Sequence, residues 1–318
     1  MSATTGRPIG VLVMAHGTPD DPGEIEAFYT RIRRGRPPTP ELLAELMGRY
    51  RAIGGTSPLT AVTRDQVDGL SHALEALEPG RFTVRLGTKY TRPSIEDAVA
   101  ELVGTGIEQL VGLVLTPHES IAGSGGYLTR AEAAAQHEGG PGLIAVRSWH
   151  RAPGLAALLA GRTRDALDKL DPSARRQVSL FFTAHSVPAR AIEEDDPYPL
   201  QVAESGSDVA AILGLDADPT ITWEVAWQSA GRTDDAWLGP DLLTEIDRAA
   251  SEGASAAAVC PVGFVSDHLE ILYDLDLEAR ARAGARGISF ARTESLNSDP
   301  AFLDLLARVV LDAVGMGR

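Results

Sequence analysis

The chain has 318 residues and a formal net charge of −15 at pH 7, room for about two domains of ordinary size. That charge argues against nucleic acid or an anionic membrane as the main partner, since both require a positive surface. A single cysteine, Cys260, excludes an internal disulfide and any site built from several thiolates. No apolar run is long enough to span a bilayer and the N-terminal one lacks a cleavage-site pattern, so a cytoplasmic protein without stable membrane insertion is expected.

Short apolar runs bounded by turn residues alternate with amphipathic stretches, which predicts parallel sheets built from strand–helix units and an α/β fold. Strands are expected near 9–15, 82–88, 109–116 and 142–148, then near 177–184, 220–226, 255–260 and 287–291. Asp21-Pro22 and Thr39-Pro40 open helices, and Gly54-Gly55 closes the second of them. Between these, RIRRGR at 31–36 sets four arginines in six positions, enough to hold a small anion on an acidic protein. The phrase VLVMAHGTP at 11–19 is echoed by FFTAHSVP at 181–188, and each opens one set of four strands, as duplication of one α/β domain would produce. WHRAPG at 149–154 is the expected boundary, dividing residues 1–150 from 151–298, with 299–318 as a terminal helix able to pack on either side.

Ligands of open parallel sheets bind beyond the carboxyl ends of the strands. Four predicted strand ends are followed within a few residues by a histidine: His16, His118, His185 and His268. For any one of them a hydrogen-bonded strand-end role weighs as much as a chemical one; four together favour chemistry. In SDHLEILYDLDLE, residues 266–278, a helix would align Asp267, Glu270, Asp274 and Glu278 on one face. A capping box of Asp267 and Glu270 accounts for half of that stripe and leaves Asp274 and Glu278 unexplained. Histidines with carboxylates, and no thiolate set, suggest a weakly held divalent metal together with a proton acceptor. Neither AHGTPDDPGE nor AGSGGY is a dinucleotide fingerprint, and AHSVP lacks the glycines of a nucleophile elbow, which removes Ser186 as a nucleophile. Of the aromatic residues, Trp237 reads first as core, and Trp227 divides evenly between core and the wall of a flat ligand.

VMAHGTPDD, FYTRIRRGR, GRYRAIGGTSPL, TAHSVP, DPYP, WQSAGRTDDAWLGPD and PVGFVSDHLEILYD resemble, in order and over nearly the whole chain, the ferrochelatases. The likeness is greatest to the monomeric enzymes of Gram-positive bacteria that insert ferrous iron into coproporphyrin III in haem biosynthesis, a lyase reaction. The resemblance implies two Rossmann-like domains, each a four-stranded parallel sheet flanked by helices, with a porphyrin cleft between them. It implies His185 and Glu270 as the catalytic, metal-inserting pair, and Arg49, Asp274 and Glu278 as an outer site for a second cation such as Mg2+. Porphyrin contacts carry over to Arg33, Arg49, Tyr50, Ser57 and Tyr127, with Arg34, Lys89 and Trp227 added. Fe2+ enters as substrate, no cofactor is tightly bound, and no iron–sulfur cluster is expected. Other haem-pathway proteins would be transient partners only.

Two positions depart from the pattern. His16 stands where those relatives carry a tyrosine that ligates iron in the product complex, so His16 becomes a candidate axial ligand. HESIAGSGGY at 118–127 is glycine-rich and acidic where relatives are bulkier. His16 motivates two alternatives: a chelatase for cobalt, nickel or protoporphyrin IX, and a haem- or porphyrin-binding carrier descended from a chelatase.

Overall fold

A computed structural model of the chain describes residues 8–121, 123–190, 195–231 and 236–317. Eight strands form two parallel sheets. The first orders Phe82–Thr88 (β2), Ile9–Ala15 (β1), Gln109–Val114 (β3) and Leu143–Val146 (β4) as β2-β1-β3-β4. The second orders Ile221–Gln228 (β6), Val178–His185 (β5), Ala256–Cys260 (β7) and Ser289–Arg292 (β8) as β6-β5-β7-β8. The strand order is the same in both, with β1 and β5 in equivalent places. The continuous apolar run IGVLVMA is buried at every position, as a central parallel strand covered on both faces must be. In each sheet the order reverses beside the first strand, between β1 and β3 and between β5 and β7, and a crevice opens at such a point beyond the carboxyl ends.

The connection from β1 to β2 is long and carries three helices, α1 (Ile25–Ile32), α2 (Pro40–Ala52) and α3 (Leu59–Leu77). Their boundaries are local chemistry. Asp21 accepts the Gly23 N–H at 2.7 Å in the turn before α1, Thr39 accepts the Leu42 N–H at 3.4 Å to open α2, and Gly54 and Gly55 both sit at φ +105° behind it. Helices α4 (Ile95–Gly104) and α5 (Gly125–His137) complete the first half, with Ser94 and Asp97 forming a capping box on α4. The second half carries α6 (Leu155–Asp168), α7 (Tyr198–Leu213), α8 (Leu242–Ser251), a π-helix at Ile271–Ala279 that runs on into α9 (Arg280–Ala285), and α10 (Pro300–Ala313).

The final helix packs mainly on the first half, against α3 and β4, and also touches α6. Gly69 of α3 makes that approach feasible, since a Cβ there would lie 2.2 Å from Leu303 Cδ1. The segment expected as a boundary is itself core: Trp149 is buried, donates its indole N–H to the Val114 carbonyl at 3.0 Å, and packs on Phe302. A single apolar cluster runs from Val11 of β1 through Trp149 and Phe302 to Phe182 of β5. Among the described residues, no helix is long and apolar enough to cross a membrane.

Candidate active site

The two crevices face one cavity of about 890 Å³ lined by both halves, within the size range of small-molecule sites. His16, His118, His185 and His268 all line it: His185 ends β5, and the other three lie on the segments that follow β1, β3 and β7.

His185 is the last residue of β5. Its Nδ1 lies 2.5 Å from the Ser186 carbonyl, which can only accept, so Nδ1 carries the hydrogen and Nε2 faces Glu270 Oε1 at 3.4 Å. Burial alone would lower the His185 pKa. The Glu270 charge and hydrogen bond outweigh burial and, with the Ser186 carbonyl and Asp274, raise it to about 9. Burial acts on Glu270 in the opposite sense, and the His185 and His268 partners hold its carboxyl well below the usual range. His268, which the expected pair omits, brings Nε2 to 3.6 Å from Glu270 Oε2, while its Nδ1 donates to the Ser266 carbonyl at 2.9 Å. Its strand-end placement was the signal available in sequence. The loop between β7 and these residues reaches β5 at Gly263, where a Cβ would come 2.5 Å from that of Ala184.

The acidic stretch takes another form than a capped α-helix. Ile271–Ala279 is a π-helix, a form frequent at functional sites, and Glu270, Asp274 and Glu278 all line the cavity. Asp267 leaves the stripe and caps nothing. Its carboxylate accepts from Ser295 Oγ at 2.7 Å, Asn297 Nδ2 at 2.9 Å and Arg292 at 3.3 Å, tying the loop after β7 to the end of β8. Arg49 of α2 lies against Asp274 and 3.9 Å from Glu278, with its guanidinium over the Tyr273 ring. Burial raises the Asp274 pKa to about 6, with Arg49 opposing. One Asp274 oxygen is taken by Arg49 and the other by Ser229 Oγ. The three residues expected at the outer site, Arg49, Asp274 and Glu278, are thus brought together on the cavity wall, with Arg49 set between the two carboxylates. Among the described residues no group of three His, Cys, Asp or Glu side chains converges to hold a metal.

Tyr50, Ser57, Lys89 and Tyr127 also line the cavity. Tyr50 shares a hydrogen bond with Thr18 Oγ1 at 2.9 Å, Ser57 Oγ accepts the Leu59 N–H at 3.3 Å, and Lys89 Nζ sits 4.5 Å above the Tyr127 ring. Burial, then Arg130 and Arg34, lower the Lys89 pKa. Arg33 and Arg34 do not reach the lining. Arg33 caps the end of α1 behind Tyr29, and Arg34 is exposed in the left-handed turn that ends the helix, at φ +57°.

The even reading of Trp227 resolves to core, and Trp237, read first as core, lines the cavity instead. Trp227 lies on β6 in the core, 4% exposed and 5.6 Å from the Tyr198 ring, whereas Trp237 lines the cavity 6.5 Å from the His185 ring. Strand alternation points Trp227 away from the site, and Trp237 belongs to a loop whose direction only the fold sets.

His16 borders the cavity between the Tyr90 ring, 4.7 Å away, and Phe28. Its Nδ1 is 2.9 Å from the Gly17 carbonyl, which leaves Nε2 as the acceptor, and burial lowers its pKa. Gly17 sits at φ +79° against Thr91, where a Cβ would fall 2.2 Å from Oγ1. His118 is fully buried and bonds Ser205 Oγ at 2.9 Å; burial, aided by His150, lowers its pKa to about 3, so the ring is neutral. Ser186 donates to the Leu238 carbonyl at 2.7 Å and Cys260 is buried in the core, so neither side chain is free to react.

The ferrochelatase family model matches residues 8–314. The chain belongs to the ferrochelatase family. A ferrochelatase of Herpetosiphon aurantiacus is 40% identical over 311 residues, which is 98% of this chain and 99% of that one. The coproporphyrin III ferrochelatase of Bacillus subtilis is 41% identical over 312 residues, covering 97% and 99%. The solved structure of SirB from Bacillus subtilis with Fe3+ shares the fold at a TM-score of 0.58 with 10% identity, covering 96% of this ferrochelatase and 95% of that chain.

Proposed function

We propose that this ferrochelatase inserts Fe2+ into coproporphyrin III, with His185 as acceptor of a pyrrole proton and Glu270 as the carboxylate that meets the metal. The observation that carries this is the His185–Glu270 pair, at 3.4 Å on the wall of a cavity large enough for a macrocycle. At neutral pH the pair rests as imidazolium and carboxylate, because the His185 pKa is about 9. A divalent cation arriving at Glu270 repels the imidazolium proton, which passes to water at the solvent-open side of the ring, so the base is released as the metal comes. His185 Nε2 then takes one of the two pyrrole protons displaced by the metal, the other leaving to water, while Nδ1 stays on the Ser186 carbonyl, which keeps the ring oriented.

Iron reaches the pair along Glu278 and Asp274, where Arg49 moderates the negative charge and keeps the stripe from trapping the ion. Propionates of the substrate meet Lys89, Tyr127 and Ser57 on the wall, with Arg33 and Arg34 behind the rim. The relatives named for coproporphyrin III support this substrate over protoporphyrin IX.

A second reading rests on His16. A neutral imidazole with Nε2 unspent is a better ferrous ligand than a phenol, and it supports axial ligation of the product iron or use of a softer metal. Anaerobic absorbance assays with coproporphyrin III or protoporphyrin IX and Fe2+, Co2+, Ni2+ or Zn2+ separate the readings. Turnover is expected with Fe2+ and coproporphyrin III, and His185→Ala is expected to abolish insertion while porphyrin still binds. Absence of turnover with every pair would leave the carrier reading standing.

A further inference from the structure

His185 is the last residue of β5, in register with Gln228 of β6, and its carbonyl is bonded from outside the sheet. The Tyr198 hydroxyl donates to the His185 carbonyl at 3.1 Å. Tyr198 begins α7, is 6% exposed, and has its ring wedged between Trp227 at 5.6 Å and His118 at 5.9 Å. Its face lines the cavity, but its one hydroxyl hydrogen is committed to His185. Burial holds the phenol far from ionisation, so it remains a donor throughout the working pH range.

The same turn grips the other half of the protein. Asp196 Oδ1 accepts the Tyr198 N–H at 3.0 Å, and Oδ2 accepts Ser120 Oγ at 3.0 Å and the Ile121 N–H at 2.8 Å. Asp196 is 6% exposed, and a buried carboxylate with three donors is a firm joint. One turn further on, Gln201 Oε1 accepts the Glu119 N–H at 2.7 Å. The segment so held leads into α5, which carries Tyr127 on the cavity wall.

We propose that Tyr198 and Asp196 are positioning residues, which refer the backbone of His185 and the 119–121 loop of the opposite half to one rigid helix turn. The spacing between proton acceptor and substrate wall is thereby set across the cleft by α7, through contacts that neither half supplies alone. Mispositioning a base by a fraction of an ångström lowers the chemical step more than it lowers binding. This rests on the reading of His185 as proton acceptor.

The test is steady-state anaerobic metalation of coproporphyrin III by the full-length chain carrying Tyr198→Phe, which keeps the ring packing and deletes one donor. The expected result is a kcat about 10-fold lower or more, with the KM for porphyrin and the dissociation constant measured by fluorescence quenching both within about twofold of wild type. Asp196→Asn, which keeps shape and weakens the joint, is expected to lower kcat less and also to spare KM. A kcat within twofold of wild type in both variants overturns the proposal. So does a fall in kcat matched by lost porphyrin affinity, which marks Tyr198 as merely structural. Wild-type kcat in His185→Ala would instead overturn the role of His185 itself, so the two failures are told apart.

Discussion

Replacing Glu270 by Gln removes one charge from the His185 pair with little change in shape, and its effect can be worked from the geometry. At 3.4 Å, a unit pair attracts by about 1 kcal/mol at the dielectric of water and by about 5 kcal/mol at an effective dielectric of about 20. Because 37% of the His185 side chain and 31% of Glu270 are open to solvent, screening favours the lower part of that range, about 2–3 kcal/mol. At about 1.4 kcal/mol per pKa unit, His185 then falls from about 9 to about 7. The raised pKa also means that the pair stabilises the folded chain fully below about 6.5, and that this contribution disappears as pH rises through about 9. In Glu270→Gln most of that dependence is lost. The assay is NMR titration of the ¹⁵N-histidine-labelled protein without substrate, with His185→Gln identifying the resonance. A His185 that still titrates near 9 in the variant, or near 6.5 in the wild type, would refute the account of the site's electrostatics.

The tryptophan pair separates packing from function. Trp227→Ala is expected to lower stability by about 3–5 kcal/mol, read from a denaturant midpoint, because it empties a core site beside Tyr198. Trp237→Ala is expected to leave that midpoint nearly unchanged and to weaken porphyrin binding about tenfold, measured by fluorescence quenching; the reverse pattern would contradict the placement of both rings. Asp267→Ala deletes three hydrogen-bonded contacts between the loop after β7 and the end of β8, at a cost of about 2 kcal/mol in the same denaturation. An unchanged midpoint would return Asp267 to the solvated acidic stripe.

The strands are legible because fully buried parallel strands need uninterrupted apolar runs, and IGVLVMA or AAAVC cannot be mistaken for surface. Helix ends were legible wherever the signal is local, as at Thr39-Pro40 and Gly54-Gly55. The strand-end histidines were visible for the same reason: a short motif beyond a strand names a residue together with its place in the sheet. Local spacing offers Asp267 both a cap and a place in the acidic stripe, and neither is what it does, because its partners Arg292, Ser295 and Asn297 lie about 25–30 residues away. Where Arg33 and Arg34 lie relative to the cavity is not local information, since the end of α1 and the left-handed turn at Arg34 set it.

By itself the sequence determined the two parallel sheets, the positions of His16, His118, His185 and His268 at strand ends, and the acidic run that begins at Glu270. These follow from local pattern, because burial and strand termination are set by neighbours in the chain. The tertiary structure alone decided that His268 joins His185 at Glu270, that Arg49 occupies the space between Asp274 and Glu278, and that Trp237 rather than Trp227 lines the cavity. It also decided that Tyr198 holds the His185 carbonyl. Each of these is a contact between elements far apart in sequence, fixed by how helices and loops pack across the two sheets, and no local pattern encodes such a distance.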